Sequence, residues 1–170
     1  QTLKPERVDL QDVLSDLAHL LNRLVGERVD LRLTHGSNLG PIRADKRQFE
    51  QVVMNLVQNA INYSNERARV TISVQAVAQD GDDFVDVKVS DNGIGIRPEE
   101  QERIFERFYR VDYGRSRESG GTGLGLSIVR HIAVTHGGSI RVWSRPGQGS
   151  TFTLRLPAYL GPVEPEEDTP

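Results

Sequence analysis

The chain has 170 residues, of which 36% are hydrophobic and 26% charged, and its formal net charge is −3. That length holds one domain with a real core, and the mildly acidic balance argues against a nucleic-acid surface. There is no cysteine, which excludes a disulfide framework and thiolate metal sites and fits a reducing compartment; no apolar run approaches the ~18 residues of a membrane span.

Residues 1–10, QTLKPERVDL, carry no signal-peptide core, and a start this abrupt is expected of a fragment cut from something longer. In 8–26, Leu10, Val13, Leu14, Leu17, Leu20, Leu21 and Leu24 recur at helical spacing, with Asp9 as the cap and Gly26 as the stop. His19 lies on this helix; no Glu-x-Arg or Pro follows it, so it reads as a solvated or packed side chain, not a phosphate acceptor. VDLRLTH alternates like a strand. SNLGP is a loop, and IRAD is a short strand ending at Asp45, a second helix cap.

Residues 46–63 form the next helix, with Val53, Leu56, Val57, Ala60 and Ile61 as its apolar stripe. Asn55, Asn59 and Asn62 share the opposite side at i, i+4 and i+7. Asparagine is a poor helix former because its side chain competes for the backbone, at a local cost of roughly a few tenths of a kcal/mol each. Either this is a solvated face, or the amides meet a ligand; an amide oxygen is a hard donor that suits Mg²⁺.

Two alternating runs, ARVTISVQAVAQ and DFVDVKVS, flank the turn signal DGDD and read as a β-hairpin. DGDD lacks the Gly and terminal Glu of an EF-hand loop. The second run ends at Asp91, just before DNGIGI, and seven glycines fall between Gly93 and Gly125. Glycine concentrates in a packed domain where the backbone turns sharply or approaches something closely. A glycine-rich turn feeding a helix N-terminus suits phosphate.

Pro98 with Glu99 and Glu100 is placed to open a short helix running through QERIFERFYRV, with Phe105 and Phe108 packing beneath the next segment of chain. Residues 112–121 hold three glycines, two serines and two arginines, a composition suited to a mobile lid. GTGLGLSIVRHIAVTHGG is a helix closed by a glycine pair; SIRVWS and STFTLRLP are two more strands joined by RPGQG. Residues 161–170, acidic and Pro-rich, are expected to be a disordered tail. The order predicts an α+β two-layer sandwich, a mixed sheet with helices on one face, and not a doubly wound βαβ repeat.

Five stretches in order, NLVQNAINY, DNGIGI, FERF, GTGLGL and GQGSTF, cover about residues 45–155. They resemble the N, G1, F, G2 and third glycine motifs of the catalytic ATP-binding domain of bacterial sensor histidine kinases, within the wider GHKL family that includes gyrase and MutL. A Rossmann site wants G-x-G-x-x-G directly after a strand, a Walker loop GK[ST], and eukaryote-type kinases HRD and DFG; none is present. The resemblance implies a Bergerat-type fold over residues 1–160, with a five-stranded mixed sheet and three main helices. It implies ATP and Mg²⁺ as cofactors, bound between the asparagine helix and the lid.

By that resemblance, Asp91 accepts the adenine N6 amino hydrogen bond, a charged bond worth roughly 1.5–3 kcal/mol. Gly93 and Gly95 let the chain pass close to the base, Ile96 belongs to the same nucleotide-binding set, and Tyr63 lies near adenine and ribose. Asn59 ligates Mg²⁺, Asn55 sits near the phosphates, and Arg110 reaches the terminal phosphates. Gly121, Thr122, Gly123, Leu124, Gly125 and Leu126 close over the polyphosphate. Ser150 sits behind the base and supports Asp91, often through water. One departure is Asn62, where the family usually has a phosphate-contacting lysine; either binding is weaker or Arg115 or Arg117 substitutes.

Hydrolytic relatives carry Glu at the position of Asn55 as a base for water. An amide takes no proton, which argues for phosphoryl transfer by positioning and charge neutralisation instead. The expected acceptor is a histidine on a separate helical dimerisation domain; His35, His131 and His136 read as structural or surface residues. The expected partners are that domain and a response regulator, which the lid sequence suggests is OmpR-like. No nucleic acid and no membrane contact by this fragment are expected, and it would be the cytoplasmic part of a membrane-anchored kinase. The competing readings are an anti-sigma-factor-type serine kinase, told apart by a stable phosphoserine product, and a non-catalytic nucleotide-binding module, which the intact Asp91 and glycines disfavour.

Overall fold

Two aspartates start the two longest helices. In the computed structural model, which describes residues 3–36, 39–64, 67–109 and 125–159, Asp9 caps helix α1 (Leu10–Val25) by accepting from the Gln11 amide at 3.1 Å. Asp45 caps α2 (Lys46–Asn62) by accepting from the Gln48 amide at 3.2 Å. Each fills orphan N–H groups of a first turn. Gly26 ends α1 at φ 66°, a conformation that favours glycine. Helix α3 (Gly125–Thr135) ends on the pair Gly137–Gly138, whose amides reach back to the carbonyls of Val134 and Ala133.

The strands are β1 (Glu6–Val8), β2 (Val29–His35), β3 (Ile42–Ala44), β4 (Ala68–Gln79), β5 (Asp82–Asp91), β6 (Ser139–Arg145) and β7 (Gly149–Pro157). A five-stranded mixed sheet runs in the order β2-β4-β5-β7-β6, with β2 and β4 parallel and the other neighbours antiparallel. Between β4 and β5 the loop is Asp80-Gly81, with φ of 51° and 82°. Both values are positive, which is the type I′ hairpin turn that Asp-Gly favours.

Burial follows the two periodicities. Val70, Ile72, Val87, Val89, Phe152 and Leu154 alternate along the inner sheet face, and Val53, Leu56, Val57, Val129 and Ile132 meet them from α2 and α3. On the outer face, Arg155 grips the buried Asp86 through Nε at 2.8 Å and Nη2 at 2.9 Å. The α+β two-layer fold with a five-stranded sheet is as expected.

Two elements differ from expectation. β1 pairs antiparallel with β3 as a separate two-stranded sheet; three residues are too few to show alternation. Residues 98–105 form two 3₁₀ turns, Pro98–Glu100 and Arg103–Phe105, and not a helix running to 111. The polar side chains of this segment bond to the preceding loop, to Tyr109 and to β6. Buried Glu100 accepts from Tyr109 Oη at 2.9 Å and from Arg97 Nε at 3.1 Å, and Gln101 donates to the carbonyls of Ile96 and Ser144. Phe105 packs edge-on against Phe152 at 6.2 Å. Phe108 is 65% exposed at φ 65°; the segment expected to cover it lies outside the described residues, as do the lid and the tail.

Candidate functional site

Three carbonyls fix the path of the glycine loop that follows β5. A Cβ on Gly93 would run into the Tyr63 carbonyl oxygen and sit 2.9 Å from Asp91 Oδ1. Gly95, at φ 75°, faces the Arg145 carbonyl, and Gly149, at φ 114°, faces the Asp91 carbonyl. Backbone meets backbone at all three points, so only glycine fits without movement. Hydrogen bonds hold the same path: Ile94 N–H donates to Tyr63 O at 3.1 Å, and Gly147 N–H donates to Ile94 O at 2.8 Å. Asn92 turns away from the loop; it accepts from Arg69 N–H at 2.8 Å and donates to Arg67 O at 3.3 Å.

Asp91 sits at the end of β5 and opposite Ser150 of β7. Its Oδ1 accepts from the Gly93 amide at 2.9 Å. Burial pushes the carboxyl up to about 6, while the main-chain N–H groups of Gly93 and Ser150 pull the other way. A half-buried carboxylate with one oxygen held by the loop can offer the other to a donor arriving along the sheet end. Ser150 supports it through the main chain; its Oγ instead lies 2.7 Å from Ser144 Oγ.

Tyr63 caps the C-terminus of α2, with its N–H on the Asn59 carbonyl. Asn55, Asn59 and Asn62 are half-buried on the face away from the core. Asn62 Oδ1 accepts from Gln58 Nε2 at 3.0 Å, and no such bond ties the amides of Asn55 or Asn59 among the described residues. Nor do three His, Cys, Asp or Glu side chains converge on a cation position among those residues. A metal here would meet the amide oxygens of Asn55 and Asn59, with ligand oxygens and water to fill its shell, a donor set that suits Mg²⁺.

The structure thus brings Tyr63, Asp91, Gly93, Gly95, Ile96 and Ser150 together around one loop. Asn59 stands one helical turn before Tyr63, and Asn55 one turn before that. Gly125 and Leu126 open α3, which packs on α2. Arg110, Gly121, Thr122, Gly123 and Leu124 lie outside the described residues, as do Arg115 and Arg117. An open groove of about 700 Å³ lined by Glu27, Arg28, Asp30, Arg67, Arg69 and Asn92 touches none of the expected site residues.

Sequence reasoning passes over Ser144, Gln101 and Asn92, which hold the loop in place. Ser144 alone carries a detectable signal: it falls on the inward side of β6, in phase with Ile140 and Val142, where an apolar residue belongs.

The histidine kinase-, DNA gyrase B- and HSP90-like ATPase family matches residues 44–160, from the end of β3 through β7. The chain belongs to this family. It is 42% identical over 158 residues to the sensor-like histidine kinase SenX3 of Mycolicibacterium smegmatis, covering 92% of this chain and 40% of that protein. The chain therefore spans well under half the length of that curated relative. Among solved structures it is similar to full-length ShkA in complex with AMPPNP (TM-score 0.78, 31% identity, 93% of this chain, 32% of that one). It is also similar to the histidine kinase ThkA in complex with the response regulator protein TrrA (TM-score 0.74, 26% identity, 92% of this chain, 42% of that one). Within this chain, His19 and His131 are exposed, and His136 is structural, its Nε2 accepting from the Asp45 amide at 3.0 Å.

Proposed function

We propose that this chain binds Mg²⁺-ATP and supplies it to a histidine on a separate helical dimerisation domain, as the catalytic part of a sensor histidine kinase. The observation that carries the reading is Asp91: a half-buried carboxylate at a strand end, held by the Gly93 amide beside a glycine loop that only glycine can follow. Such a carboxylate accepts from an exocyclic amino group and rejects a carbonyl, which selects adenine over guanine. Asn59 holds the metal, and Mg²⁺ when bound neutralises charge on the phosphates. Asn55 lines the phosphate end without acting as a base, because an amide accepts no proton. Arg110 and residues 121–126 complete the phosphate end.

In the transfer, an imidazole nitrogen of the acceptor forms a bond to the γ-phosphorus as the bond to the β,γ-bridging oxygen breaks. ADP leaves and the imidazole loses a proton. The family match supports the nucleotide, and the likeness to SenX3 supports the acceptor. The likeness to ThkA, solved with TrrA, supports a response regulator as the next acceptor; an OmpR-like regulator and a membrane-anchored parent with this domain in the cytoplasm complete the proposal.

The test is phosphorylation from γ-labelled ATP in the parent protein, or in this chain mixed with its dimerisation domain. An acid-labile, alkali-stable label on histidine is expected, dependent on Mg²⁺. An acid-stable label on serine would transfer the chain to the anti-sigma-factor type, and no nucleotide binding by calorimetry would remove the reading altogether.

A further inference from the structure

The loop that receives the purine is not self-supporting. Its final residue, Ile96, has both main-chain polar groups held by side chains outside the loop, one from β6 and one from the 3₁₀ segment that follows. Ile96 N–H donates to Ser144 Oγ at 2.7 Å, and Ile96 O accepts from Gln101 Nε2 at 2.9 Å. Gln101 Nε2 also lies 3.1 Å from the Ser144 carbonyl, so the two anchors lock each other. Ser144 Oγ donates to the Gly149 carbonyl at 2.9 Å and meets Ser150 Oγ at 2.7 Å. Ser144 and Ser150 are 8% and 5% exposed, so no solvent replaces these bonds if they are lost.

These contacts join the two sides of the proposed adenine slot. On one side is Asp91, facing Ser150 across the β5–β7 ladder, with the Asp91 carbonyl against Gly149. On the other is the segment Gly95–Ile96, which leans on the Arg145 carbonyl. The Ser144 side chain touches both, through Gly149 and Ser150 on the first and Ile96 on the second. A hydroxyl is needed because it must accept from one partner and donate to another at the same atom. Valine, of similar size, would leave Ile96 N–H buried without an acceptor.

We infer that Ser144, locked by Gln101, is a positioning residue that sets the width of the adenine slot by tying Ile96 to the strand pair that carries Asp91. This rests on the nucleotide reading above and goes beyond it, since neither residue belongs to the glycine or asparagine motifs. Ser144 does not touch the nucleotide. Its removal lets the loop drift while leaving Asp91, the asparagine face and the phosphate end in place.

The experiment compares parent kinase with Ser144→Ala, Ser144→Thr and Gln101→Met. For S144A the expected result is a KM for ATP raised roughly tenfold, the factor that corresponds to one lost buried hydrogen bond. kcat at saturating ATP should stay within about twofold, because the loop acts on binding and not on transfer. Amide exchange at Ile96 should quicken in S144A, and S144T, which keeps the hydroxyl, should restore KM. An unchanged KM in a folded S144A overturns the inference. So does a fall in kcat alongside the rise in KM that S144T does not restore, which marks a general structural role. If S144A does not fold, Q101M loosens the same residue from its carbonyl side, and a parent-like KM there overturns the inference equally. A parent protein that binds no ATP overturns the nucleotide reading itself, which is a different result from a variant that binds as the parent does.

Discussion

The two walls of the candidate site are built in opposite ways. The loop after β5 is over-determined: Gly93, Gly95 and Gly149 each face a carbonyl, and Ile94 and Ile96 are bonded on both of their main-chain groups. The asparagine face of α2 carries half-buried amides, of which only Asn62 has a bond among the described residues, to an exposed Gln58. One wall is held by its own bonds, and the other leaves the amides of Asn55 and Asn59 without a partner among the described residues. That division suits a nucleotide: a flat base rewards a rigid slot, while a flexible polyphosphate with its cation supplies its own partners.

The largest effect is expected from breaking the rigid wall. Gly95→Ala places a Cβ against the Arg145 carbonyl at φ 75°, and should cost about 2–4 kcal/mol of stability together with nucleotide binding. Thermal unfolding measures it; a melting temperature within a degree of the parent would contradict that close packing.

Asp91→Asn should separate binding from stability. Folded Asp91 holds its proton up to about pH 6, against an ordinary value of 3.8. Between those values the folded state binds more protons than the unfolded one, so stability falls as pH rises and the cost is complete above about 6. The amide removes that cost. At pH 7 the variant should be more stable by on the order of 1–2 kcal/mol, yet bind ATP at least ~10-fold more weakly for want of a charged acceptor. In the parent, affinity should also fall below about pH 6 by up to ~10-fold per unit, and that component should vanish in the variant. Calorimetry and urea unfolding across pH 5–8 read both; a destabilised variant with parent-like affinity would reverse the assignment.

On the open wall, Asn59→Ala should leave stability within about 0.5 kcal/mol, because its amide bonds to none of the described residues. It should remove most of the difference between ATP affinity with Mg²⁺ and with a chelator, about tenfold if one ligand oxygen is lost. An undiminished Mg²⁺ dependence would move the metal to another residue.

The two walls were also unequally legible in the sequence. The asparagine face is read from helical spacing alone, and Asp9, Asp45 and Asp80-Gly81 behave as their local chemistry says, because caps and turns are settled within a few residues. The glycines of the rigid wall are visible as glycines, but what they approach is not: Arg145 and Asp91 are brought to them by the register of β5, β7 and β6. The same holds for Ile96 with Ser144, 48 positions apart, and for Asp45 with His136, 91 apart. Where a helix is expected from Pro98 there are 3₁₀ turns, and one bond of Gln101 there, to the Ser144 carbonyl 43 positions away, is likewise invisible to local signals. Local signals and the motif resemblance name the candidate residues; the sheet register decides which of them are fixed.

The smallest effect is the most specific to this chain. Asn62 stands where the resemblance expects a phosphate-contacting lysine, one turn beyond Asn59 on the open wall. If the phosphates lie on that wall, as the proposed function has it, a cation added there should act on binding and scarcely on the fold. Asn62→Lys breaks only the exposed bond to Gln58, and a positive charge in the last turn of α2 is mildly favoured by the helix dipole. Stability should therefore change by less than about 0.5 kcal/mol. ATP affinity should rise about two- to fivefold at low salt, the range of a solvent-exposed charge pair, and the gain should vanish near ~1 M salt, where screening reaches a few ångströms. If affinity falls instead, position 62 does not face the phosphates, and the open wall ends at Asn59.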